Sequence, residues 1–212
     1  MPELPERLRW SHNTYYHRWL LRRLPPRPDR VLDVGCGAGR LACTLSSRAD
    51  QVDAIDTSPE MIAAAQQRGL PSRRVRWIVG DVLDPAVPLI EGVYDAVTSV
   101  SSLHHLPLQE GLDRLGALVR PGGVLVVVGH YRPATFVDRW LGHTALVANA
   151  AVGPALALVG RAGKPDDDGM PVQPPTATLA EIRRATGRLE GATVTRGLFW
   201  RYLLTWRRPT GS

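Results

Sequence analysis

Val31 to Arg40 reads V-L-D-V-G-C-G-A-G-R: an apolar run carrying Asp33 passes into Gly35, Gly37 and Gly39, then into the periodic apolar residues Leu41, Ala42 and Leu45. That order predicts a strand, a tight glycine turn and a helix. The turn needs positive φ, and missing side chains let a ligand lie against the main chain at the helix start. The G-x-G-x-G spacing leaves Arg40 where a dinucleotide fingerprint wants its third glycine, which disfavours a nicotinamide oxidoreductase. Downstream, Gln51–Asp56 alternates and ends on an acid about twenty residues past the first glycine, where a carboxylate can accept hydrogen bonds from ribose hydroxyls. The glycine turn and Asp56 together specify a nucleoside.

Two histidines, His104 and His105, follow the run Tyr94–Val100. A histidine that is neutral near pH 7 can take a proton from a phenol or hydroxyl as a new bond forms at its oxygen. The competing reading has the pair orienting a helix or touching a ligand. His130, Tyr131 and Arg132 follow the apolar run Val124–Val128 and are substrate-side candidates by position. No cluster of paired acids points to a metal: Asp166, Asp167 and Asp168 lie in a Gly/Pro-rich stretch that reads as a solvated loop, and Cys36 and Cys43 lack C-x-x-C spacing.

These groups need a scaffold. Ser11 is a plausible N-cap for a helix running to about Leu24, on which His12, Tyr16 and Trp19 share a face, before Pro25-Pro26 stops it. After the glycine turn the order is strand Gln51–Asp56, helix Pro59–Arg68 opening on Ser58-Pro59, and strand Val75–Gly80. Strand Tyr94–Val100, helix Gln109–Val119, a tight turn Arg120–Gly123 and strand Val124–Val128 come next, the last apolar enough to be buried on both faces. Asp95 begins the fourth strand, away from the ligand edge, and is assigned a structural role. Thr178–Thr186 reads as a short helix, with Ala192–Thr195 and Phe199–Arg207 as a hairpin. Alternating strands and helices imply parallel crossovers and a doubly wound α/β sheet, whose ligands lie across the carboxyl ends of the strands.

Five blocks in this order resemble the class I S-adenosylmethionine-dependent methyltransferases, in particular the small single-domain members that methylate small molecules. The blocks are L-D-V-G-C-G-A-G-R, A-I-D-T-S-P-E-M-I at 54–62, V-G-D-V at 79–82, Y-D-A-V-T-S-V-S-S-L-H-H-L at 94–106 and L-V-R-P-G-G-V-L-V-V-V at 118–128. The resemblance implies a Rossmann-like seven-stranded sheet of order 3-2-1-4-5-7-6 with an antiparallel last strand, and S-adenosyl-L-methionine as cofactor. It carries cofactor binding to Asp33, Gly35, Cys36, Gly37, Gly39, Asp56, Thr57, Met61, Asp81, Val82 and Ser99, with Asp81 and the Val82 amide toward the adenine. It places the transferable methyl near the end of the fourth strand, by His104 and His105. A helix preceding the glycine turn closes over the cofactor in this family, which makes His12, Tyr15, Tyr16 and His17 substrate-side candidates, Tyr16 first.

At 212 residues the chain is read as one methyltransferase domain, 1–212, with an N-terminal cover helix at 1–28 and a helical insertion at 133–175. Thr144–Gly160 carries no charge but is short for a membrane span and is broken by Gly153-Pro154, so a lid of two short helices is expected, with Phe136 and Trp140 facing an acceptor. A membrane-surface or homodimer contact is the alternative. Only Lys164 among the 26 basic residues is lysine, and the arginines are scattered, so the net charge of +6 reads as solvated faces and does not favour nucleic acid. The polar start M-P-E-L-P-E-R has no apolar signal stretch, and a cytoplasmic location is expected.

The leading function is methylation of oxygen, nitrogen or carbon of a small hydrophobic or aromatic metabolite. RNA or protein methylation is the runner-up, lowered because Ser99-Val100-Ser101-Ser102 stands where methylases of base amines and glutamine amides commonly carry N/D-P-P-Y/F. A cofactor-binding scaffold without transfer activity is the non-enzymatic reading.

Overall fold

The computed structural model describes residues 12–67, 73–136, 138 and 174–211, and the side chains of 12–15 lie outside the described part. Seven strands form one sheet in the order β3-β2-β1-β4-β5-β7-β6. They are β1 Arg30–Val34, β2 Gln51–Asp56, β3 Val75–Val79, β4 Tyr94–Val100, β5 Val119–His130, β6 Thr193–Arg196 and β7 Arg201–Arg207. The first five pair in parallel, and β7 runs antiparallel to both β5 and β6. The helices are α1 His12–Leu21, α2 Arg40–Ser46, α3 Pro59–Gln67, α4 Leu108–Leu118 and α5 Leu179–Ala185.

Successive strand side chains face opposite sides, so each buried strand feeds two cores. Val31, Val52, Ala96 and Val126 pack with Leu20 of α1 and Leu41 and Leu45 of α2. Leu32, Ile55, Val97, Leu125 and Val127 pack on the other side with Leu112 and Leu115 of α4 and Ile182 of α5. This is why β5 is apolar at every position from Leu125 to Val128, all of them fully buried.

Local chemistry sets the helix ends. Ser58 Oγ accepts the Met61 amide at 3.1 Å ahead of Pro59, and Thr178 forms a reciprocal capping box with Glu181. α1 stops three residues short of the expected Leu24: the Arg23 amide turns back to the Leu20 carbonyl at 2.9 Å, and the Arg23 guanidinium takes up the Trp19 carbonyl at 3.0 Å while lying over the Trp19 ring. The expected turn at Arg120–Gly123 is instead an irregular stretch within β5, which already pairs with β4 at Val119–Tyr94 and shifts register before Ala96. β7 starts at Arg201 rather than Phe199, since Phe199 and Trp200 adopt left-handed backbone that no strand accommodates. Ser11, Trp140 and nearly all of the 133–175 insertion lie outside the described residues. No helix among the described residues is long and apolar enough to cross a membrane.

Four strands are tied at the edge away from their carboxyl ends. The buried Asp53 carboxylate on β2 accepts from Arg30 of β1 at 2.8 Å, from Arg76 of β3 at 2.8 and 3.0 Å, and from the Tyr94 hydroxyl of β4 at 2.6 Å. Asp95 takes the Arg30 amide at 2.8 Å and the Arg120 guanidinium.

Candidate active site

A cavity of about 400 Å³ opens at the carboxyl ends of β1, β2, β3 and β4. Asp33 of β1 and Gly35, Cys36, Gly37 and Arg40 of the glycine turn line it, with Asp56 at the end of β2, Thr57 and Met61 beyond it, Gly80, Asp81 and Val82 after β3, Ser101, Ser102, His105 and Leu106 after β4, and His17 from α1. Parallel strands deliver their ends to one edge, so segments far apart in the chain converge there.

The turn is fastened to β2. The Gly35 and Cys36 amides both donate to the Ile55 carbonyl, at 2.9 and 3.0 Å, and the Gly37 amide donates to Asp56 Oδ2 at 2.8 Å. Asp56 Oδ1 accepts the Ser58 amide at 3.0 Å. Asp56 thus orients the turn and the start of α3 while also lining the cavity. Gly35 has φ 69, and a Cβ there would run into the Ser102 side chain, whose hydroxyl donates to the Val34 carbonyl at 2.7 Å.

Asp33 is the least ordinary group. Its carboxyl is 1% exposed, one oxygen receives the Thr98 hydroxyl at 3.1 Å, and the buried Oδ2 has no hydrogen-bond partner. Burial raises its pKa to about 7, against the pull of the Thr98 hydrogen bond and with the Asp56 charge adding to the rise. An orphaned acceptor in a cavity wall calls for a donor or a cation. The Cys36 thiol is likewise pushed up by burial and by Asp33 and Asp56, which keeps it protonated.

Several candidates sit elsewhere. Gly39, with φ 78, starts α2 away from the cavity lining, and a Cβ there would run into Trp77 and Ala65, so this glycine serves helix packing. Ser99 is fully buried behind the wall, its hydroxyl 2.6 Å from that of Ser102. The Tyr16 hydroxyl meets the Leu198 amide and carbonyl at 2.8 and 3.1 Å, so α1 presents His17 to the cavity rather than Tyr16. Tyr131 is buried and its hydroxyl points to Asp138 at 3.4 Å. Phe136 is 81% exposed. The His104 ring lies tilted against His105, at 4.1 Å, and edge-on to His130, at 5.2 Å; of the three residues only His105 lines the cavity. The side chains of His12 and Tyr15, and all of Trp140, lie outside the described residues. The described residues hold no group of three or more histidines, cysteines or acids that could bind a metal.

Ser101, Ser102 and Arg40 also line the cavity, although composition and periodicity singled out none of them as ligand-binding. The signal for Arg40 was its place directly after the third glycine, on the first turn of α2.

A doubly wound sheet with a nucleoside-sized cavity at its switch point and an acid at the end of β2 defines a nucleotide-type cofactor protein. Residues 31–123 match the family described as methyltransferase domain. The chain is 36% identical over 203 residues to an uncharacterised methyltransferase of Mycobacterium tuberculosis, covering 94% of this chain and 98% of that protein. It is 40% identical over 117 residues to a ubiquinone biosynthesis O-methyltransferase of Xanthomonas axonopodis, covering 54% of this chain and 48% of that one. Its fold matches geranyl diphosphate C-methyltransferase of Streptomyces coelicolor, solved with S-adenosyl-L-homocysteine, with a TM-score of 0.62 at 14% identity over 92% of this chain and 78% of the other. The chain belongs to the class I S-adenosylmethionine-dependent methyltransferases, and S-adenosylmethionine is its cofactor.

Proposed function

We propose that the protein transfers a methyl group from S-adenosylmethionine to oxygen, nitrogen or carbon of a small hydrophobic or aromatic metabolite. When bound, the cofactor supplies an electrophilic methyl on a sulfonium, which leaves as a neutral thioether. The observation that carries the reading is the cavity wall shared by His105 and the Asp33 carboxyl, whose Oδ2 has no hydrogen-bond partner. Asp33 accepts from the cationic amino-acid portion of the donor. Asp56 takes the ribose hydroxyls on lone pairs left by the Gly37 and Ser58 amides. Asp81, whose Oδ1 holds the Leu83 amide at 2.9 Å, and Val82 stand at the base end. In this reading His105 takes a proton from an acceptor hydroxyl or amine, with the His104 ring beside it. Positioning of the two reactants supplies much of the rate in such a transfer.

The chain leaves the sheet after β5 and comes back beside its point of exit, where the Arg132 amide and guanidinium donate to the Ala177 and Thr176 carbonyls at 2.7 and 3.0 Å. Buried Asp138 pins the outgoing end through the Ala134 and Thr135 amides and Arg196. An excursion rooted in this way at the ligand edge supports residues 133–175 as the acceptor-side cover within a single 1–212 domain.

The test is a metabolite screen with methyl-labelled S-adenosylmethionine, read as label appearing in a product. Label in a small aromatic or apolar compound is expected. Label only in RNA or protein, or donor binding with no transfer to anything, refutes the reading.

Two binding predictions accompany it. Asp56→Ala is expected to weaken S-adenosylhomocysteine binding by about 1–3 kcal/mol, because ribose hydroxyls and the Gly37 amide lose their acceptor. Calorimetry on the folded variant checks it, and parental affinity would remove Asp56 from the site. The second concerns pH. A cationic donor prefers ionised Asp33, which is present above about pH 7 and neutralised below it. S-adenosylmethionine affinity is therefore expected to rise from about pH 5.5 to about pH 8 with proton release on binding, and Asp33→Asn to flatten that component. Titrations in buffers of different ionisation enthalpy count the protons, and a count unchanged by Asp33→Asn contradicts the assignment.

A further inference from the structure

Arg201 is not among the residues that line the cavity, yet its placement is unusual for a guanidinium. It opens β7, pairs with His130 at the end of β5, and is only 6% exposed. Its Nη1 donates to Ser101 Oγ at 2.6 Å, and its guanidinium carbon lies 5.6 Å from the centre of the Tyr16 ring. Arginine keeps its charge when buried, so such a site must be built around it.

Ser101 lines the cavity with φ 58, a left-handed backbone that a residue with a Cβ adopts only against steric resistance. Its amide donates to the Val128 carbonyl at 2.7 Å. The next residue, Ser102, is braced by Val34 and Ser99, so Arg201 holds the opposite end of the same short wall. The turn that delivers Arg201 is constrained in its own right. The Gly197 amide donates to the Arg201 carbonyl at 2.7 Å, Phe199 and Trp200 are left-handed at φ 58 and 54, and Leu198 is clasped by the Tyr16 hydroxyl. Tyr16 is followed by the cavity residue His17. Through Arg201 and Tyr16, the β6–β7 turn therefore touches both α1 and the wall after β4.

We propose that Arg201 is a positioning residue for methyl transfer: its hydrogen bond keeps Ser101 in the left-handed conformation that shapes the donor-side wall, so that donor affinity depends on a strand outside the donor site. This rests on the cavity being the donor site.

The test is calorimetric titration of the full chain with S-adenosylhomocysteine, with melting temperature recorded alongside. Arg201→Met and Ser101→Ala are each expected to weaken binding by about 5–20-fold. Ser101→Gly is expected to weaken binding clearly less than Ser101→Ala, because glycine takes positive φ without a Cβ penalty, and to restore most of the affinity lost in Arg201→Met. A purely structural role for Arg201 would lower the melting temperature with no rescue of affinity by glycine at 101. Parental affinity in Ser101→Ala and Arg201→Met, or a double variant as weak as Arg201→Met alone, overturns the proposal. Should Arg201→Met fail to fold, Ser101→Ala and Ser101→Gly decide: a weaker alanine variant supports it and equal affinities overturn it. A parent that binds no S-adenosylhomocysteine would instead refute the donor site itself.

Discussion

Asp53→Ala is expected to destabilise the fold by about 3 kcal/mol while leaving donor affinity per folded molecule unchanged. The side chain is wholly inside and takes hydrogen bonds from Arg30, Arg76 and Tyr94, so one carboxylate links four neighbouring strands. Its removal strands a buried phenol and two guanidinium groups. Arg30 and Arg76 keep 23% and 39% of their side-chain exposure, and water reaching them holds the cost at the lower end of what a broken buried pair shows. Burial pushes the Asp53 carboxyl up, but the hydrogen bonds from Arg76, Tyr94 and Arg30 outweigh it, and the group titrates below the usual carboxylate range. The sign follows from that depression. Its contribution is complete above the unfolded value near pH 4 and is lost as pH falls through the folded value. Urea denaturation at neutral pH and near pH 3 checks both parts, with Asp53→Asn expected to lose the acid-dependent portion. Equal stabilities of parent and Asp53→Ala at neutral pH would contradict the role given to the network.

Gly35→Ala is expected to cost about 2–5 kcal/mol in stability and to abolish measurable donor binding. Two costs coincide. At φ 69 an alanine is strained, and its methyl meets the Ser102 side chain, whose hydroxyl is fixed by the Val34 carbonyl. Either the turn or the wall must give way, and both face the cavity. Ser102→Gly removes the clash and leaves the strain, so the double variant should recover part of the stability. S-adenosylhomocysteine titration and thermal melting separate the two. A folded Gly35→Ala protein with parental affinity would show that the turn does not approach the ligand.

Much of this architecture is local in origin. Strand Gln51–Asp56 and strand Tyr94–Val100 coincide with the runs read from alternation and apolarity, because strands buried in a parallel sheet carry their own apolar signal. Ser58-Pro59 marks the start of α3 because capping acts over three residues. The glycine turn and Asp56 lie close in sequence and meet as their spacing implies. The sheet order came from the family resemblance, since no local pattern says which strand neighbours which.

Sequence by itself determined the types of most described elements, the turn at Arg120–Gly123 excepted, together with the α/β class, the family blocks and the acids at strand ends. The tertiary structure decided which side of each candidate faces the cavity, because that depends on partners far along the chain. Tyr16 is turned away by a backbone clasp at Leu198, 182 residues on, and His17 takes its place. Gly39 packs on Trp77, Ser99 is hidden behind Ser102, and His104 sits against His105 and His130 without lining the cavity. The Asp53 network joins residues from four strands, and the Arg201–Ser101 bond spans 100 positions. Spacing along a chain reports the period of a helix or a strand, whereas a charge pair or a braced wall is set by how strands are ordered and how chain ends return, and these exist only once the sheet has formed.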